Sequence, residues 1–155
     1  MSLIIKKVKS IDLYQLRNKV LRNNKGIQYC KFEGDKNEDT VHFAVIKNNT
    51  TVAGVSLIKN STNKIKSLSN IQLRGMAVYK DYQKNKLGSV LLKKVESYCI
   101  NNSVDFIWMN ARSEAIKFYL KNIAGVAQLV ERQPSKLNVA SSNLVSRSFF
   151  LQLPM

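Results

Sequence analysis

Residues 73–92 run Leu73-Arg74-Gly75-Met76-Ala77-Val78-Tyr79-Lys80-Asp81-Tyr82-Gln83-Lys84-Asn85-Lys86-Leu87-Gly88-Ser89-Val90-Leu91-Leu92, a passage from strand through basic loop into helix. The apolar run over 71–79 predicts a strand, and 80–86 a polar loop after it. Gly88 opens a helix to about residue 100, with Val90, Leu91, Val95, Tyr98 and Cys99 on its buried side. A loop that feeds a helix N-terminus presents unpaired backbone N–H groups and the positive end of the helix dipole. That arrangement binds a pyrophosphate without side-chain help. Gly88 lets backbone approach such a ligand, and Lys84 and Lys86 add charge. The plainer alternative is that Gly88 starts a core helix and the lysines are merely solvated.

Working outward, residues 104–109 predict a buried strand and 113–121 a helix carrying Ala115, Ile116, Phe118 and Tyr119. Upstream, 41–47 and 51–59 predict two strands joined through Asn48-Asn49-Thr50, since asparagine tolerates positive φ in a hairpin turn. A first strand is expected over 3–8. Ser10 is the expected N-cap of a helix with Ile11, Leu13, Leu16, Val20 and Leu21 on its apolar stripe, stopped by Asn23-Asn24-Lys25-Gly26. Residues 27–40 and 60–69 are polar and predict loops. The order is βα, ββ, βα, βα, without an internal repeat.

The 155 residues suit one domain. No apolar run approaches the roughly 20 residues needed to span a bilayer, and the start is too briefly apolar for a signal peptide. Cys30 and Cys99 are expected as reduced thiols of a cytoplasmic protein. One histidine and no closely spaced cysteine pair argue against a metal site. The formal charge of +15 raises nucleic acid as a partner. Its lysines are scattered over different predicted elements rather than gathered on one stripe, which disfavours that partner. A diffuse positive field suffices for a polyphosphate cofactor or an anionic substrate.

Downstream of the helix stands Trp108-Met109-Asn110-Ala111-Arg112-Ser113-Glu114-Ala115-Ile116-Lys117-Phe118-Tyr119-Leu120-Lys121. Together the two segments resemble the cofactor motifs of the GNAT N-acetyltransferases: Q/R-x-x-G-x-G/A, then N-A-R-x-x-A-x-x-F-Y. Gln83 and Gly88 match the first, with Lys86 where the family usually has its first glycine. Asn110, Ala111, Arg112, Ala115, Phe118 and Tyr119 match the second. The resemblance covers 72–121 well and the earlier chain more loosely, through Leu16-Arg17, Cys30-x-Phe32-x-Gly34-Asp35 and Thr40-x-His42-Phe43.

The resemblance implies an α/β fold with a mixed, mostly antiparallel sheet flanked by helices and splayed where acetyl-CoA enters. It implies acetyl transfer from acetyl-CoA to a primary amine, on a small molecule or peptide, by direct attack on the thioester. Backbone groups of Met76, Ala77 and Val78 would hold the pantetheine arm. Gln83 and the amides of Lys84, Asn85, Lys86, Leu87, Gly88 and Ser89 would take the pyrophosphate, with Asn110, Ala115 and Phe118 beside the cofactor. Tyr119 would protonate the departing thiolate, although a tyrosine after Phe118 on an apolar face is also at home in a core. Glu33, Asp35 and His42 are the base candidates, and a lone histidine next to Phe43 also suits a structural role. Arg74 and Arg112 are candidates for an anionic acceptor or simply surface arginines. A CoA-binding protein with little turnover and a basic binding module of the same fold are the competing functions.

The family pattern stops at Asn122, where a Gly-Phe pair and two closing strands are expected and Ile123-Ala124-Gly125-Val126 follows instead. Residues 1–123 therefore form the expected domain and 124–155 an atypical tail. The tail resembles a translated transfer-RNA gene. Residues 126–132 can be encoded by GTA GCT CAG TTG GTA GAG CGN, the usual D-arm, and Ser141-Ser142-Asn143 by AGT TCG AAT, the T-loop. Codons for Ala124-Gly125 and Ser146-Arg147 can pair as an acceptor stem, and those for Gln133-Pro134 and Lys136-Leu137 as an anticodon stem. The ordinary alternative is a helix over 126–133 and a strand over 138–151. In either case Val145, Phe149, Phe150 and Leu151 are apolar enough to cover an open sheet edge. Otherwise a second chain, as in a homodimer, would meet that edge.

Overall fold

The computed structural model describes residues 3–60, 69–122 and 147–152. Most of the loop expected over 60–69 and the transfer-RNA-like segment up to Ser146 lie outside the described residues. Among the described residues six strands form one sheet in sequence order: β1 (Ile4–Val8), β2 (Val41–Lys47), β3 (Thr50–Ile58), β4 (Asn70–Val78), β5 (Phe106–Ala111) and β6 (Arg147–Gln152). All neighbours are antiparallel except β4 and β5. The β2–β3 hairpin turns on Asn48 and Asn49, whose φ values of 48° and 59° give the left-handed pair that a two-residue hairpin requires.

Helices cover both faces, as expected. The face of Phe43, Val45, Val55 and Leu57 packs with α2 (Leu87–Asn101), which contributes Leu87, Leu91, Leu92, Val95 and Cys99. The expected Val90 is 41% exposed instead. The helix starts at Leu87, and the inner row 87-91-95-99 turns Val90 outward. On the opposite face Leu13 and Leu16 pack on Ala44 and Ala77 beneath α1 (Tyr14–Leu21). Ser10 does not cap α1. Ser10–Leu13 is a 3-10 turn whose Asp12 carboxylate accepts the Lys9 N–H at 2.9 Å, while Ser10 lies buried 3.4 Å from the Tyr14 hydroxyl. That tighter turn leaves Ile11 65% exposed. α3 (Ser113–Asn122) follows β5 and packs partly buried apolar side chains against the α2 side of the core.

Residues 27–40 are more than a polar loop. Ile27–Cys30 forms a 3-10 turn, and Cys30, Phe32 and Asp35 are buried. They close on Arg17, which is 1% exposed on the inner side of α1. Its guanidinium makes a two-pronged pair with Asp35 and also donates to the Cys30 carbonyl at 2.8 Å and to the Ser56 hydroxyl at 2.7 Å. Asp35 further accepts the Phe32 N–H at 2.9 Å. The Phe32 ring lies 4.0 Å from Arg17 and 4.5 Å from Arg74, within cation–π range of both.

β4 is paired with β5 at only three positions, Asn70–Phe106, Ile71–Ile107 and Gln72–Trp108. Beyond them the strands part, giving the expected splay. On its other side β4 bulges: Gly54 faces Ala77 but Ser56 faces Arg74, so Gly75 and Met76 together oppose Val55. Gly75 has φ +63°, and a Cβ there would run into the Phe32 ring. The bulge thus needs glycine for both its backbone and its neighbour. Within the expected tail, β6 pairs with β5 along Phe106–Ala111.

Removing one member of a buried ion pair strands the other, which costs roughly 3–5 kcal/mol. Asp35→Asn is therefore expected to destabilise the protein by about 3 kcal/mol, read from the urea unfolding midpoint. A loss below about 1 kcal/mol would show that Arg17 finds other partners.

Candidate active site

The splay opens into a cleft of about 870 Å³ between the end of β4, the start of α2 and one face of α3. Met76, Ala77 and Val78 line it from β4, and Gln83, Lys84, Lys86, Leu87, Gly88 and Ser89 from the loop and first turn of α2. Ala115, Phe118 and Tyr119 line it from α3, and Val20 from α1. Twelve of the residues expected in the site thus share one cavity. Asn85 and Asn110 are exposed and do not line it.

The chain enters α2 through two left-handed residues, Lys84 (φ 66°) and Lys86 (φ 60°, ψ 12°). Lys86 stands where the resemblance implies a glycine, and its backbone has the conformation for which glycine is normally used. The loop geometry is therefore kept by a lysine at the expense of local strain. Gln83 ties the loop back to the strand, its Nε2 donating to the Val78 carbonyl at 3.2 Å. No side chain caps α2, so its first-turn N–H groups keep their capacity for a ligand. The cleft lining includes Lys84, Lys86, Lys93, Lys117 and Lys121 and no carboxylate. These features suit a polyphosphate anion. Gly88 has a packing reason besides the one expected: a Cβ there would lie 2.8 Å from Phe118 Cζ and 3.3 Å from Met76 Cε. It permits α3 to pack on α2 at the cleft floor.

Tyr119 sits edge-on to Phe118, with ring centroids 5.4 Å apart, and its hydroxyl has no hydrogen bond among the described residues. Burial pushes its phenol up to about 12. It stays protonated, as a proton donor must. The base candidates lie elsewhere. His42 is 4% exposed, with Nδ1 2.7 Å from the Ser56 hydroxyl and Nε2 2.9 Å from the Asp35 carbonyl oxygen. Burial lowers its pKa, and the Asp35 hydrogen bond and charge oppose that only in part. Asp35 is held by Arg17, and Glu33 is exposed. None of the three lines the cleft.

Arg17, Phe32 and Ser56 form a network that sequence reasoning missed. One signal was available: Arg17 falls within the apolar spacing Leu13, Leu16, Val20, where a charge must be either paired or misplaced. Ser56 carried no such signal. Cys30 and Cys99 are free, buried thiols, and burial pushes Cys99 up to about 12. Among the described residues no group of three His, Cys, Asp or Glu side chains could hold a metal ion, and no helix is long and apolar enough to cross a membrane.

Lys86→Gly should relax the left-handed entry to α2. Given about 1–2 kcal/mol for a non-glycine residue in that region, partly offset by glycine's entropy in the unfolded chain, a gain of about 1 kcal/mol is expected. Thermal unfolding measures it, and destabilisation would mean that the Lys86 side chain contributes more than its backbone costs.

The chain matches the family model of the acetyltransferase (GNAT) family over residues 10–125. It is 31% identical over 117 residues to YitI, an uncharacterized N-acetyltransferase of Bacillus subtilis strain 168, covering 76% of this chain and 78% of that one. A GNAT-family acetyltransferase of Staphylococcus aureus Mu50 shares the fold with a TM-score of 0.70 at 20% identity, over 99% of this chain and 100% of the other. The PaiA N-acetyltransferase of Thermoplasma acidophilum, solved in complex with coenzyme A, gives 0.63 at 14% identity, over 98% and 99%. The cleft, its uncapped helix and these matches agree: the chain belongs to the GNAT family of acetyltransferases, whose cofactor is acetyl-CoA.

Proposed function

We propose that the protein transfers an acetyl group from acetyl-CoA to a primary amine, on a small molecule or peptide, by direct attack. The observation that carries this reading is the cleft in which an uncapped helix start, five lysines and the Tyr119 phenol meet at the parted strands β4 and β5. Acetyl-CoA, when bound, supplies the thioester carbonyl that the amine attacks. The N–H groups of Leu87, Gly88 and Ser89 and the nearby lysines bind the pyrophosphate. Backbone groups of Met76, Ala77 and Val78 orient the arm along β4, on the strand left unpaired by the splay. Phe118 and Ala115 exclude water from the floor. Tyr119 holds the proton that the leaving sulfur takes as the C–S bond breaks.

The attacking amine loses a proton as the amide forms. His42 has both ring nitrogens engaged within the Arg17 network and Glu33 does not line the cleft, so this task falls to water, with the exposed Glu33 as the remaining base candidate in the chain. In this reading residues 1–123 are the acetyltransferase unit, and 124–155 are an appended tail that lends it β6. A CoA-binding protein with little turnover is the second reading. It is favoured by the family match ending at residue 125 and by a single described strand where two are usual.

Acetyl-CoA should raise the melting temperature, with stabilisation of about 2.7 kcal/mol at 100 times its Kd. The Kd should weaken steeply with added salt, because the lysines act through charge. No thermal shift at any attainable concentration would remove the cofactor from this cleft. Thiol release with an amine panel then separates the two readings, since the second shows binding without release.

Tyr119→Phe should lower turnover at least tenfold while leaving acetyl-CoA affinity within about twofold. The wild-type rate should show no loss from phenol ionisation below about pH 11, because the folded pKa is raised to about 12. Unchanged turnover in the variant would take Tyr119 out of the mechanism.

A further inference from the structure

Arg74 stands on β4 two residues before Met76, the first residue of the strand to line the cleft, and does not line it itself. It immediately precedes the bulge at Gly75 and Met76, and it pairs across the sheet with Ser56, so its side chain belongs to the α1 face. Met76 points the other way, toward Gly88 and Phe118. The splay is open through the sheet, and Val20 at the end of α1 lines the same cleft as Tyr119. A cofactor held at the start of α2 therefore leaves the α1 side as the approach for the acceptor.

On that side Arg74 is half-buried, with its guanidinium 4.5 Å from the Phe32 ring centroid. The ring is not free to move. Phe32 is anchored through its N–H to Asp35, which is paired with the buried Arg17, and its edge abuts Gly75. Arg22, from the C-terminal end of α1, lies 5.8 Å from the same ring. The neighbouring Arg17 has its own carboxylate, whereas neither Arg74 nor Arg22 makes an ion pair among the described residues. Glu33, next to Phe32 in the chain, does not supply one. An arginine fixed on an aromatic platform, on the strand that enters the cleft and with no carboxylate partner among the described residues, is preorganised for an anion from outside the protein.

We propose that Arg74 determines acceptor specificity and that the acceptor amine carries an anionic group, a carboxylate or phosphate, that Arg74 binds. This rests on the acetyltransfer reading above and narrows it. The anion would pair with the planar guanidinium while the amine reaches toward Met76–Val78 and Tyr119. Arg22 adds positive potential at the rim. Cationic polyamines would be poor acceptors, since they meet two arginines on the approach.

The test compares kcat/KM by thiol release for matched pairs: γ-aminobutyrate against its amide, and phosphoethanolamine against ethanolamine, with spermidine as the cationic control. Acetyl-CoA binding is measured alongside by calorimetry. The wild type is expected to prefer the anionic member of at least one pair by tenfold or more, and which pair does so distinguishes carboxylate from phosphate. In Arg74→Gln that preference should fall at least tenfold, mainly through KM, with Arg74→Lys recovering part of it. A structural role would lower both members of a pair alike, leaving the ratio unchanged, and that result overturns the proposal. A wild type that binds acetyl-CoA yet favours neither anionic amine overturns it alone. A wild type that does not bind acetyl-CoA overturns the acetyltransfer reading and this proposal with it.

Discussion

A guanidinium on the inner side of a helix must have nearly all its donors met, because burying a charge without partners costs more than one helix can return. Arg17 meets that demand by drawing in Cys30 and Asp35 from the segment 27–40 and Ser56 from β3. In doing so it folds the polar segment 27–40 onto α1, buries Phe32, and leaves His42 bridging Ser56 and the Asp35 backbone. Phe32 then sits on the bulge of β4, where only a glycine fits. The α1 side of the candidate site thus depends on one ion pair and its hydrogen bonds, even though no member of that pair lines the cleft.

The other side depends on how briefly β4 and β5 stay together. Three paired positions hold them in register, and from Leu73 onward each strand finds its partner elsewhere, β4 with β3 and β5 with β6. A backbone strand end unpaired on one edge offers N–H and C=O groups to a ligand, in the way an edge strand accepts another chain. The loop after β4 completes the arrangement by aiming an uncapped helix start at the same opening. Lys86 holds this entry in a left-handed conformation that favours glycine, so the geometry is imposed by the flanking strand and helix rather than chosen by the residue.

Much of the cofactor half was legible in the residues, because each feature there is local. Asparagines in sequence mark the hairpin, an apolar row marks α2, and Gln83, Gly88 and the Asn110-to-Tyr119 pattern mark the motifs. The errors have local causes too. A 3-10 turn replaced the expected helix start at Ser10, and beginning α2 at Leu87 turned Val90 outward. The packing of Gly88 was not legible either, because the space beside it is filled by Phe118, a residue thirty positions away. For the base candidates His42 and Asp35 the fold supplies partners, Arg17 and Ser56, that their place before and on a strand did not reveal.

The sequence by itself determined the succession of strands and helices and the chemistry of the loop that enters α2, since turn residues, apolar spacing and backbone donors act over a few neighbours. It also marked where the family pattern ends. Only the tertiary structure decided that a charge on α1 would be matched by a carboxylate eighteen residues on, that a bulge would need Phe32 against it, and that part of the tail would pair with β5. Those outcomes depend on which distant segments the sheet brings together, and desolvation assigns partners only after that meeting has occurred.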